Sequence, residues 1–323
     1  MGSLLAGVLA ISWAHGADIL QMETEEVIGI QNRPHLGIVR PEFHDPLHDP
    51  VWLAGFRESF TSEIPEELKN VDALTRAKAL GRLVGCADAW YYPFTVSVRK
   101  RDPPGIDMEI LRAIAARRSW RVEMVWANTA PRGGLGPVFA RTIDKGYCDF
   151  FLGLVITGVD DDMVRHKLTF TNPYLGQGYV LALQGNAKDM RITTLADVKK
   201  AGLKVGVPAY SPAQDFLLAN DIEHESYFGN QRLIDAMARG EVNAGLLWSG
   251  ALGVVQRDHP ELHLALPPGY IPPPGQRWNG AWAVPLRETQ LKQFFDAEID
   301  SMLKSGEIQA IVERYGVPFY PPF

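Results

Sequence analysis

Between Asp88 and Phe94 the sequence reads DAWYYPF, a carboxylate followed by Trp90, Tyr91, Tyr92 and Phe94. Aromatic side chains at that density suit a flat or apolar ligand, or a protein loop laid across them. Thr157, Tyr174 and Tyr210 stand near the ends of apolar runs farther along, as do Trp248 and Trp282. Each of these aromatics has an alternative role as a core or rim side chain. Asp88 closes a strand-like run at the edge where open α/β sheets bind ligands, or else caps the turn that follows. Arg165, His166 and Lys167 form a basic cluster suited to a carboxylate or an anionic quinone, or to plain solvation in a loop. Asp107 stands at the start of a helix, where the dipole favours a carboxylate.

Catalytic patterns are missing. The sequence contains no GxSxG elbow, no HExxH and no GxxxxGK[ST], and the glycines from Gly133 to Gly136 do not make the dinucleotide fingerprint. No catalytic residues and no cofactor are expected, and the chain reads as a binding protein rather than an enzyme. His35, His44 and His48 with Asp45 and Asp49 are the nearest approach to a metal set. Prolines interrupt their spacing and keep His44 and His48 off one helix face, so no metal is expected. A net charge of -6 over 323 residues provides no basic stripe for nucleic acid or anionic lipid.

These side chains need elements to hold them. From Arg82 onward short apolar strands alternate with amphipathic helices, the signature of an α/β protein with mostly parallel sheets. The strands LVGCAD, Val122 to Trp126 and CDFFLGL, with a helix whose apolar face carries Ile106, Ile110, Leu111, Ile114 and Ala115, make a first lobe. The strand YVLALQG, a helix from Thr194 to Ala201 capped by threonine, the strand KVGVP, helices after Ser211 and from Gln231, and the strand NAGLLWS make a second. AWAV, from Ala281 to Val284, reads as a return strand before a helical run from Leu291 to Val312. The reading places lobe 1 at residues 81–182 and 280–323, lobe 2 at 183–279, and an extension at 18–80 that wraps or caps the body. Two crossings between the lobes make a hinge, and the aromatics above would face one another across the cleft it closes.

Residues 1–17, MGSLLAGVLAISWAHGA, read as a secretory signal peptide although no Lys or Arg precedes the apolar run; the alternative is a buried N-terminal helix. In an oxidising compartment the pair Cys86 and Cys148 favours a bridge, possible if the first and third strands lie side by side, the alternative being two buried thiols.

The ordered segments LVGCADAWYYPF, GIDMEILRAIAARRSWRVEMVW, GYCDFFLGL, LTFTNPYLGQGYVLAL and TTLADVKKAGLKVGVPAYSPAQDFL resemble the type II periplasmic solute-binding proteins, from about Arg82 to the end. The resemblance implies a two-lobed fold in which each lobe is a doubly wound, mostly parallel sheet, carried by a monomeric periplasmic protein. In the amino-acid-binding branch an Arg shortly before the FTNPY-like segment holds the ligand carboxylate and an acidic residue of the second lobe holds its ammonium. Here the spacing from Arg165 to Tyr174 is altered, and Trp248 stands where the acidic residue is expected. VNAGLLWSGALGVV, CAD, CDFFLGL and the ending ERYGVPFYPPF resemble the MxaJ/XoxJ-type accessory proteins of pyrroloquinoline-quinone (PQQ) methanol dehydrogenases. That narrower resemblance implies a quinoprotein alcohol or methanol dehydrogenase as protein partner, served in maturation, activation or ligand delivery. The alternative is an ABC-transporter receptor for a small organic solute.

Overall fold

The runs RLVGCAD and FFLGLVI carry apolar side chains on both faces, as strands covered by helices on each side require. The computed structural model describes residues 38–39, 64–88, 90–96, 104–127, 129, 134–156, 158 and 161–323; the signal-peptide segment, His35, the stretch from His44 to Pro50, Gly133 and Thr157 lie outside the described residues. The chain enters the first lobe through β1 (Ile38–Val39), α1 (Ala73–Leu80), β2 (Arg82–Asp88), β3 (Trp90–Tyr91) and β4 (Thr95–Val96). It continues with α2 (Ile106–Ala116), β5 (Arg121–Ala127), α3 (Gly136–Arg141), β6 (Phe150–Ile156), α4 (Asp161–Arg165) and β7 (Leu168–Phe170). β8 (Leu175–Leu183) then crosses over to α5 (Leu195–Lys200), β9 (Val205–Pro208), α6 (Pro212–Ala219) and β10 (His224–Tyr227). α7 (Asn230–Ala238), β11 (Ala244–Trp248) and α8 (Ser249–Asp258) complete the second lobe, and β12 (Arg277–Pro285) returns to α9 (Thr289–Lys304) and α10 (Glu307–Arg314).

The strands hydrogen-bond in the order β1-β5-β2-β6-β12-β8-β11-β9-β10, with β7 added beside β12. β5, β2 and β6 are parallel, as are β11, β9 and β10. β12 and β8 run antiparallel to these sets and to each other. The first and third strands of the first lobe are therefore neighbours, and Cys86, opposite Phe151, is bridged to Cys148 with a Cα–Cα distance of 5.6 Å. Ala73, Leu74 and Ala77 of α1, assigned by the sequence to the extension, pack into the same core as β2, β6 and α9. β1 adds an antiparallel edge strand against β5.

Local chemistry sets the helix starts. Thr194 and Asp197 form a reciprocal capping box, and the hydrogen bonds that Asp197 accepts from Thr193 and Thr194 hold its carboxyl down at about 2. Asp72 and Ser211 cap α1 and α6 by accepting from the backbone N–H of Thr75 and Gln214.

The two crossings are one structure. β8 and β12 pair from Gly178 opposite Arg277 to Leu175 opposite Gly280, a two-stranded hinge. The C-terminal tail lies along it: Gly176 N–H donates to Tyr320 O at 2.9 Å, and Asn279 exchanges hydrogen bonds with the backbone of Phe323 at 2.8 and 3.1 Å. Arg277 stacks over the Phe323 ring at 4.4 Å. Only glycine fits at 176, because a Cβ there would lie 2.7 Å from Pro321 O.

Candidate functional site

The carboxyl end of β2 gives Asp88, and the short ribbon of β3 and β4 turns the following aromatics back toward the second lobe. Asp88 is committed to the framework: its Oδ2 accepts from Thr129 N at 3.0 Å and from the Thr129 hydroxyl, and its carbonyl accepts from Thr95 Oγ1 at 2.8 Å. It joins the ends of the parallel strands β2 and β5.

Tyr91 and Phe94 meet Trp248, which ends β11 of the other lobe. The Tyr91 and Trp248 rings stack with centroids 5.6 Å apart and planes 8° apart; Phe94 lies 5.1 Å from Tyr91 and 5.6 Å from Trp248. Trp248 Nε1 donates to Gln177 Oε1 on the hinge strand at 3.1 Å. Trp248 packs against the first lobe's core and against one core of the second. Such ring pairs contribute about 1 kcal/mol each beyond area burial. Burial, then the charges of Asp107 and Asp88, push the Tyr91 phenol upward, so it stays protonated.

α8, which the sequence reading did not resolve as a helix, seals the junction beside this stack. Arg257 lies 4.0 Å over the Tyr92 ring while a fork of two 2.6 Å hydrogen bonds binds it to Asp258. Gly253 permits the approach, since a Cβ there would come within 2.8 Å of Tyr315 O and 3.2 Å of Pro93.

Other expected cleft residues lie elsewhere. Trp282 is corrected: the pleat of β12 turns it inward, where it is fully buried and donates from Nε1 to Asp107 Oδ1 at 2.5 Å. Tyr174 is fully buried 6.1 Å from Trp282 and belongs to the same core. Arg165 is corrected as well. It sits at the end of α4, 69% exposed, on a surface pocket with Pro285 and Leu286, at the end of β12 away from the hinge. Tyr210 is 88% exposed in a left-handed turn and packs on Phe228, 6.1 Å away, not on the Tyr91 group. Trp90 is placed in β3 by its backbone. Asp107, read as a helix-start carboxylate, is fully buried, and desolvation raises its carboxyl to about 7 against the hydrogen bond from Trp282. Gln177 and Arg257 were missed because nothing in their local sequence marks a lobe-spanning contact.

The fold and this junction define a class: a two-lobed protein whose lobes meet across a hinge, with aromatic side chains of both lobes in contact at the strand ends. The sequence matches the model of the bacterial extracellular solute-binding proteins, family 3, over residues 83–318, and the chain belongs to that family. Among solved structures it is similar to the unliganded open L-cystine solute receptor of Neisseria gonorrhoeae, with 18% identity, 76% of this chain and 98% of that one covered, and a TM-score of 0.62. It is also similar to the second substrate binding domain of a putative amino acid ABC transporter from Streptococcus pneumoniae, at 21% identity, 72% and 99% coverage and a TM-score of 0.57. An ancestral cyclohexadienyl dehydratase matches at 17% identity, 78% and 99% coverage and a TM-score of 0.57, so the fold also carries an enzyme. No curated protein matches the sequence. Among the described residues no helix is long and apolar enough to cross a membrane, and no cluster of His, Cys, Asp or Glu could hold a metal.

Proposed function

We propose that the chain is a periplasmic receptor that binds a small organic solute between its lobes for an ABC transporter. The observation that carries this reading is the stack of Tyr91 and Phe94 on Trp248 across the hinge, at the strand ends of both lobes. The family and the amino-acid transport names of its structural neighbours support the receptor role. The solute differs from theirs in kind. With Trp248 in place of a second-lobe carboxylate and Arg165 far from the stack, a zwitterion finds neither counter-ion, and a flat, weakly polar solute is favoured. At 5.6 Å between centroids no ring fits between Tyr91 and Trp248, so binding requires the lobes to part and the indole to yield its place.

Thermal shift across aromatic acids, quinones, nucleobases and amino acids, followed by scattering on any hit, tests this. A receptor gains several degrees of Tm with a saturable ligand, and Tyr91→Ala abolishes the gain while leaving the fold intact. No gain with any member of the panel overturns the receptor reading.

One observation favours a second reading, the accessory role beside a quinoprotein methanol or alcohol dehydrogenase: the lobe junction is already filled by the protein's own Trp248. A protein partner, unlike a solute, can bind the closed pair of lobes as it stands. Capture from the native periplasm with a tag placed after the signal segment tests it, and recovery of permease components without dehydrogenase excludes it.

A further inference from the structure

At the far end of β12 from the hinge, where Leu168 pairs with Pro285, a pocket of about 420 Å³ opens on the first lobe. β12 runs from Trp278 to Pro285 between the two places, a separation of roughly 23 Å at the usual strand rise. The pocket is independent of the Tyr91 stack. Arg165 ends α4, Lys167 sits in the turn after it, and Arg287 follows β12; all three line the opening.

The two arginines are exposed and meet carboxylates only at long range. Arg165 is 69% exposed with Asp162 at 3.5 Å, and Arg287 is 80% exposed with Glu288 at 3.4 Å. Glu288 already accepts from Ala73 N at 2.7 Å, and Asp144, the carboxylate on the pocket wall, is held by His166 Nδ1 at 2.6 Å. The backbone fixes the arrangement: Lys167 O accepts from Leu286 N at 2.8 Å, and Lys167 itself adopts φ 53°, a left-handed conformation that a side chain bearing a Cβ takes only under constraint. Leu286, 54% exposed, lies on the lining beside the cations, and Val164, 67% exposed, precedes Arg165 on α4. The lining itself carries three cations against one carboxylate, Asp144, on a chain of net charge -6.

We propose that this pocket docks an acidic peptide segment of a partner protein, two or more carboxylates meeting Arg165, Lys167 and Arg287 while an apolar side chain covers Leu286. A free anion would use the cations and leave the apolar rim bare, which is why a peptide is the better fit.

The test uses the full mature chain and a fluorescein-labelled peptide of glutamates and leucines, with a glutamine version as control, read by anisotropy at low and physiological salt. The expected result is saturable binding of the glutamate peptide that weakens with salt, and a loss of about ten-fold in affinity for each of Arg165→Glu and Arg287→Glu. The neutral variants Arg165→Gln and Arg287→Gln give a smaller loss in the same direction, and Arg232→Glu, on α7 of the other lobe, changes nothing. Equal binding of the two peptides, displacement by inorganic phosphate at the same concentration as by the peptide, or equal losses from Arg232→Glu and Arg165→Glu overturns the proposal. Folding of every variant is checked by its unfolding transition, and the Tyr91 stack plays no part in the readout.

Discussion

Asp107 couples protonation to folding through one side chain. Buried beneath Trp282, its carboxyl has an ordinary value of 3.8 and a folded value of about 7, so the folded protein holds a proton that the unfolded chain gives up. The group favours folding fully below pH 3.8, and that contribution falls as pH rises, until it is gone above about 7. The slope is at most ~1.4 kcal/mol per pH unit for one proton. Asp107→Asn keeps an acceptor for the indole N–H and removes the titration. Denaturant unfolding from pH 4 to pH 8 is therefore expected to show the variant gaining on the native protein from about pH 4 to about pH 7 and running parallel to it above that; curves parallel over the whole window refute the assignment. At this scale the sequence was only half legible. The aromatics at 91, 94 and 248 could be nominated from their places beside strand-like runs, but which face of a strand Trp282 occupies depends on the pleat of β12, and Arg165, read as part of a loop, ends the short helix α4.

Between elements, the bridge from Cys86 to Cys148 ties the middle of β2 to the residue ahead of the turn into β6, closing a loop with a sequence separation of 62. Restricting a loop of that length in the unfolded chain stabilises the fold by about 4 kcal/mol in the chain-entropy model. Replacing both cysteines by alanine is expected to lower the unfolding midpoint by several degrees, with the lobe arrangement retained in scattering; an unchanged midpoint removes the bridge from the stability account. Strands and caps were the legible part at this scale. CDFFLGL and LVGCAD announce buried parallel strands by continuous apolar character, and Thr194 with Asp197 announces a helix start. β10 and α8 escaped notice because HESY is polar and α8 follows β11 without a linking loop, so neither carries an isolated periodic signal.

Across the whole molecule, the tail from Tyr320 to Phe323 and the strands β8 and β12 form one unit, so lobe opening has to strain or release the contacts at Gly176 and Asn279. Deleting Tyr320–Phe323, or placing a side chain on the hinge with Gly176→Val, is expected to enlarge the radius of gyration in solution scattering and to speed amide exchange along β8. Unaltered scattering from both variants means that the tail rides on the hinge without restraining it. The mostly parallel fold class was legible from the alternation of strands and helices, whereas the hinge clasp depends on contacts between residues distant in sequence, Gly176 with Tyr320 and Asn279 with Phe323, which no local pattern encodes.

Because β12 lies between β6 and β8 in the sheet, the first lobe is built from both ends of the chain. During synthesis, which proceeds from the N-terminus, β6 presents one unpaired edge until Arg277–Pro285 has emerged, while the second lobe's own strands β8 to β11 are already in hand. An open apolar strand edge invites pairing with other chains. The cell must therefore shield a nearly finished first lobe while it waits for its last strand, and a chain cut short before residue 277 would leave that lobe open for good.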